Sequence, residues 1–177
     1  MKTEDKLPIK LRLLIVLQKL KLLKYIRLLY RSYLGHKIRK LKKLQFQEIK
    51  SLGRIVELKL GKYKFILDRQ ELHDFQMLQV IKEGKLYEPE VTSYIYEYLK
   101  IGQTFMDIGA NNGYYTLIGS QIVGDSGKVI SIEPNPRAFK RLEQNILENK
   151  IKNVITYKIG LSDFNGTGVL YLDNGTE

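Results

Sequence analysis

Two acids, Asp107 and Glu133, stand where a folded chain could use them on a ligand. Asp107 follows the short apolar run Thr104-Phe105-Met106, which predicts a buried strand, and precedes Ile108-Gly109-Ala110-Asn111-Asn112-Gly113. Tyr114-Tyr115-Thr116-Leu117-Ile118-Gly119 then predicts a helix packed on a sheet. A glycine turn between strand and helix leaves backbone N–H groups and a helix N-terminus free to meet a ligand. The dinucleotide fingerprint G-x-G-x-x-G leaves the acid's position apolar. Here only Gly109 and Gly113 of such a pattern exist, and an acid precedes them. A carboxylate suits a cationic ligand group, such as the amino group of a methionine moiety, better than a pyrophosphate.

Glu133 repeats the arrangement one unit later. Lys128-Val129-Ile130-Ser131-Ile132 is β-branched and predicts a strand, which Glu133 ends before the turn Pro134-Asn135-Pro136. In a βαβ unit the acid at the end of the second strand faces the ribose hydroxyls of a bound nucleoside. Together the two acids describe a site for S-adenosylmethionine, with Asp107, Gly109, Ala110, Asn111, Gly113 and Glu133 as its cofactor-binding residues. Each also has a plainer reading. Asp107 could cap the following helix, the glycines could be turn and packing residues, and Asn111 and Asn112 tolerate left-handed geometry.

The segments Phe105–Thr116, Gly127–Pro136 and Gly160-Leu161-Ser162-Asp163, with the lead-in Tyr87-Glu88-Pro89-Glu90, resemble FkbM-type methyltransferases over about Leu86 to Leu172. The resemblance implies a Rossmann-like α/β domain, doubly wound with a mainly parallel sheet. It implies S-adenosylmethionine-dependent O-methylation of a glycan or small-molecule hydroxyl. It also implies that another acidic strand end and much of the acceptor pocket belong to a segment beyond Glu177. On that basis the chain is expected to be incomplete at its C-terminus, and no catalytic residue is assigned. Ser162 and Asp163 follow the third strand, where they could recognise an adenine amino group or only make a turn. Glu88 could shield the cofactor, or only start a helix.

The elements that hold these residues are legible from pattern. Arg54–Leu60 and Lys62–Leu67 around Gly61 predict a hairpin. Pro89 opens a helix to about Leu99, and Gly102 ends it. Pro136–Asn149 is the second crossover helix, Asn153–Gly160 a third strand, and Val169–Leu172 a short return strand after the turn Asn165-Gly166. The domain division expected is an arm over 1–50, a hairpin and lead-in helix over 51–100, and half of a cofactor domain over 101–177. With nothing after Leu172 to supply a second neighbour, the strand at Thr104–Asp107 is expected to leave an edge open to self-association.

Charge sets the first 50 residues apart. They hold 15 Lys+Arg against 3 Asp+Glu, a net of +12, whereas residues 51–177 carry a net of −1. Leu7 to about Phe46 predicts helix, with a charge-free stripe through Leu11, Leu14, Ile15, Gln18, Leu22, Tyr25, Ile26 and Leu29. Over residues 7–33 that pattern suits an anionic membrane surface, the rest of the protein, or a second copy of itself. Nucleic acid is disfavoured, because the aromatic residues form no stacking platform. No apolar run there reaches the roughly 20 residues of a membrane span or the 7–15 of a signal-peptide centre. The expected place is therefore the cytoplasm, peripheral at the inner membrane face through the arm. With no cysteine, thiolate chemistry and cysteine zinc sites are excluded, and His36 and His73 lack ligand-like neighbours. The competing reading is an inactive remnant acting through its arm on a membrane surface or a partner.

Overall fold

In the computed structural model the residues described are 49–83 and 85–171. The helical arm expected over 7–46 lies outside them. Within them the chain forms two three-stranded sheets and four helices.

The first sheet is antiparallel. Strands β1 (Ile49–Leu52), β2 (Ile55–Leu60) and β3 (Tyr63–Asp68) lie side by side in chain order. The expected hairpin is β2–β3, and β1 extends it by pairing Ile49 with Leu58 and Leu52 with Ile55. Alternation explains β2, whose Val56, Leu58 and Leu60 are buried while Lys59 is exposed. β3 is buried at Phe65, Ile66, Leu67 and Asp68, so both of its faces are covered. Helix α1 (Leu72–Lys82), absent from the sequence reading, follows and buries Met77, Leu78 and Ile81.

The second sheet is parallel. Helix α2 (Pro89–Tyr98) leads to β4 (Thr104–Ile108), then α3 (Tyr114–Val123), β5 (Lys128–Ile132), α4 (Pro136–Glu148) and β6 (Val154–Tyr157). The strand order β4-β5-β6 puts β6 on the far side of β5 from β4, as a doubly wound sheet requires. One core joins the two halves: Val56, Leu58, Leu60, Phe65, Leu67, Met77, Leu78, Ile81 and Ile95 pack with Tyr114, Leu117 and Ile118 of α3.

Side-chain amides also tie the sheets together. Asn145 of α4 and Asn149, the residue that caps its C-terminus, face the outer edge of β3. Asn145 accepts from Ile66 N at 2.7 Å and donates to Ile66 O at 3.2 Å. Asn149 does the same for Lys64, at 2.7 and 2.6 Å. Four residues of helix rise about 6 Å and two of strand about 6.6 Å, so one helix face can match alternate residues of an edge strand. The edge of β3 is thereby satisfied without a fourth strand.

Three expectations need correction. β4 is not a buried strand. Phe105 and Asp107 face α3, while Met106 and Ile108 are 52% and 60% exposed on the opposite face. β6 ends at Tyr157, short of Gly160. Residues 158–171 have no regular structure, so no return strand forms over 169–171. They lack the tight cross-strand partner that a return strand needs.

Candidate functional site

The site lies at the C-terminal ends of β4 and β5. These strands pair in register from Thr104 with Lys128 to Ile108 with Ile132, which brings the ends bearing Asp107 and Glu133 together. Gly109 N and Ala110 N both donate to Ile132 O, at 2.8 and 3.0 Å, and so pin the loop over β5. Gly109, Asn111 and Gly113 all have positive φ, of 74°, 48° and 91°. At Gly113 a side chain would be strained and would also meet Leu142 Cδ1 at 2.8 Å. At Gly109 a Cβ would enter open space, so the turn leaves room beside the strand ends.

Asp107 is buried, and its Oδ2 accepts from Thr116 Oγ1 at 2.6 Å. Thr116 Oγ1 lies 2.8 Å from Ser131 Oγ. Burial pushes the Asp107 carboxyl up to about 6; Glu133's charge adds to the rise, and the Thr116 bonds oppose it. A carboxylate so poorly solvated has much to gain from a cation placed against it. Glu133 is equally buried but better partnered. Its Oε2 accepts from Asn111 N and its Oε1 from Asn135 N, each at 2.8 Å. Both oxygens keep a lone pair for further donors.

A cavity of about 250 Å³ opens beside Glu133, with Asn111, Asn112, Asn135, Arg137 and residues of α1 in its walls. Of the α1 residues in its walls, the sequence reading singled out His73 alone, as a histidine without ligand-like neighbours. Asp74 accepts from Asn112 Nδ2 at 2.7 Å, and His73 Nε2 lies 3.0 Å from Tyr87 Oη. The helical spacing of Met77, Leu78 and Ile81 was the signal that would have placed α1.

The structure thus brings Asp107, Gly109, Ala110, Asn111, Gly113 and Glu133 together. Ser162 and Asp163 lie in the irregular segment after β6, exposed, with Ser162 Oγ donating to Asp163 Oδ1 at 3.1 Å. Glu88 sits in the left-handed region, φ 39°, and accepts from Tyr115 Oη at 2.5 Å. Burial first, and then that bond, hold the Tyr115 hydroxyl well above its ordinary range. Among the described residues no group of three or more His, Cys, Asp or Glu could hold a metal ion. No described helix is long and apolar enough to cross a membrane.

A parallel β4-β5-β6 sheet, a glycine turn after its first strand and buried acids at two adjacent strand ends define a Rossmann-like methyltransferase fold. The chain belongs to the protein-L-isoaspartate(D-aspartate) O-methyltransferase family, whose profile matches residues 39–163. Family membership corrects the FkbM resemblance. Two of the segments that suggested it, Phe105–Thr116 and Gly127–Pro136, make up β4 with its following loop and β5 with its end.

The protein-L-isoaspartate O-methyltransferase of Methanococcus maripaludis strain C7 is 39% identical over 56 residues, 32% of this chain and 26% of that protein. Its counterpart in strain C6 is 38% identical over the same length and shares. The matched stretch therefore spans about a quarter of these relatives. Among solved structures, a methyltransferase from Aquifex aeolicus has 27% identity and a TM-score of 0.36, covering 38% of this chain and 37% of that one. An O-methyltransferase from Thermotoga maritima has 26% identity and a TM-score of 0.39, covering 62% and 42%.

Proposed function

We propose that the chain binds S-adenosylmethionine at the ends of β4 and β5 and serves methyl transfer to a carboxylate oxygen of an isoaspartyl residue in a protein. The observation that carries the reading is the pair of buried acids on adjacent strand ends, within a chain of this family. Asp107 would face the cationic amino-acid end of the cofactor, and Glu133 the ribose hydroxyls. The two backbone bonds to Glu133 hold its carboxylate in one orientation before any ligand arrives. When bound, S-adenosylmethionine supplies an activated methyl group on a sulfonium.

The acceptor's chemistry decides what the protein must add. A hydroxyl acceptor, expected from the sequence, brings a proton that a base must take. A peptide carboxylate is already ionised at neutral pH, so alignment of the two reactants is the principal demand.

Calorimetric titration with S-adenosylhomocysteine tests the cofactor half. Glu133→Ala should lose about 1.5–3 kcal/mol of binding, the value of charge-assisted bonds to ribose. Unchanged affinity would remove the ribose assignment. The acceptor half is tested with an isoaspartyl peptide: the product should be a methyl ester that alkali cleaves, and an alkali-stable methyl product would exclude the carboxylate reading.

A further inference from the structure

Asn112 is the most completely held residue of the loop, yet it is not one of the groups assigned to the cofactor. It is buried, between Asn111 and Gly113, both in the left-handed region. Its Nδ2 donates to Asp74 Oδ1 at 2.7 Å, its Oδ1 accepts from Tyr114 N at 3.2 Å, and its carbonyl accepts from Asn145 Nδ2 at 2.8 Å. His73 Nδ1 also lies 3.5 Å from Asn112 Nδ2, and the two closer outside partners are themselves fixed. Asp74, buried on α1, accepts from Asp68 N at 2.8 Å through its other oxygen and has Arg141 Nε 3.9 Å away. Asn145, buried on α4, is clamped to both main-chain groups of Ile66 on β3.

Two left-handed residues flanking a third are costly to hold, especially with the non-glycine Asn111 among them. Asn111 N must also stay in place for Glu133 to be oriented. The bonds from α1 and α4 supply the constraint. We propose that Asp74 and Asn145 are positioning residues, which act through Asn112 to hold the Asn111–Gly113 turn in its binding shape; the proposal rests on the cofactor-binding reading above. The antiparallel sheet then has a role at the site although none of its strands reaches it: β3 anchors both constraints.

Asn149 is the natural control, because it clamps β3 from the same helix face without reaching the loop. In the intact chain, Asn145→Ala and Asp74→Asn should each raise amide hydrogen exchange over residues 111–115 and weaken S-adenosylhomocysteine binding about tenfold, as expected for one lost buried hydrogen bond. Asn149→Ala should lower the thermal midpoint but leave loop exchange and affinity unchanged. Exchanging the partners, Asp74→Asn with Asn112→Asp, lets residue 74 donate where it had accepted. Asp68 N and Tyr114 N each keep an acceptor. The double variant should return to within about threefold of the parent affinity, since contacting pairs are non-additive. Loop exchange in Asn145→Ala or Asp74→Asn no greater than in Asn149→Ala would overturn the proposal, as would a double variant no better than the worse single one. A parent chain that binds no S-adenosylhomocysteine would remove the cofactor reading alone, since loop exchange still decides the positioning role.

Discussion

Asp107 is where the site and the stability of the fold oppose each other. Its carboxyl ionises at about 6 in the folded protein, chiefly because it is buried, and near 3.9 in an unfolded chain. A raised acid pKa means that the folded state holds its proton longer. The contribution to stability is full below about pH 4 and is lost as pH rises through 6. By neutral pH that loss is about 3 kcal/mol. Asp68 works in the opposite sense: its hydrogen bond from Arg54 leads the causes that hold its carboxyl below the ordinary value, so its contribution is lost as pH falls below about 4. The two windows do not overlap. Asp107→Asn should therefore raise the thermal midpoint at pH 7, flatten its fall between pH 4 and 6, and weaken S-adenosylhomocysteine binding. Thr116 Oγ1 can still donate to an asparagine oxygen, which keeps the change local. If the variant melted at or below the parent temperature at pH 7, Asp107 would not be an ionised, poorly solvated acid. Such an exchange of stability for binding is common at functional sites.

At the scale of the elements, helices rather than strands decide what can change. α3 lies against β4 so closely that a Cβ at Gly119 would meet Phe105 Cδ1 at 2.4 Å. Helix propensity favours Gly119→Ala by about 1 kcal/mol, and overpacking a core costs about 1–3. Here the clash is with an aromatic ring wedged between helix and strand, so packing should win. Urea unfolding should show a net loss of stability; a gain would mean that the ring moves aside freely. The sequence displayed much of this architecture. Period-two alternation gave β2, Pro89 and Pro136 marked helix starts, and the β-branched run ending in Glu133 gave β5. What it hid were contacts across long separations. Nothing local in Asn145 shows that its amide completes Ile66, 79 residues away, or that Asp74 holds Asn112, 38 residues away. α1 was legible only in the helical spacing of Met77, Leu78 and Ile81, with no capping side chain to mark its start. The return strand failed because β propensity at Val169 had no partner to satisfy it.

For the whole molecule the unequal treatment of the two sheet faces matters most. α3 covers one side of β4 and β5, and the antiparallel sheet packs on α3 in turn. On the other, the register places Met106, Ile130 and Ile155 in one row and Ile108, Ile132 and Tyr157 in the next. Met106, Ile108, Ile155 and Tyr157 are exposed. Among the described residues β4 pairs with β5 alone, so its outer edge is also open. A parallel sheet is normally covered on both faces, and an apolar face beside a free edge invites association. The 177-residue chain should therefore bind a hydrophobic dye and show a concentration-dependent mass in sedimentation. Met106→Lys with Ile155→Lys places a charge at each end of the first row, in positions already open to water. That variant should lower both signals with little effect on the thermal midpoint, since neither side chain lies in the shared core. A parent chain that stays monomeric and leaves the dye dark at high concentration would show that this face needs no cover.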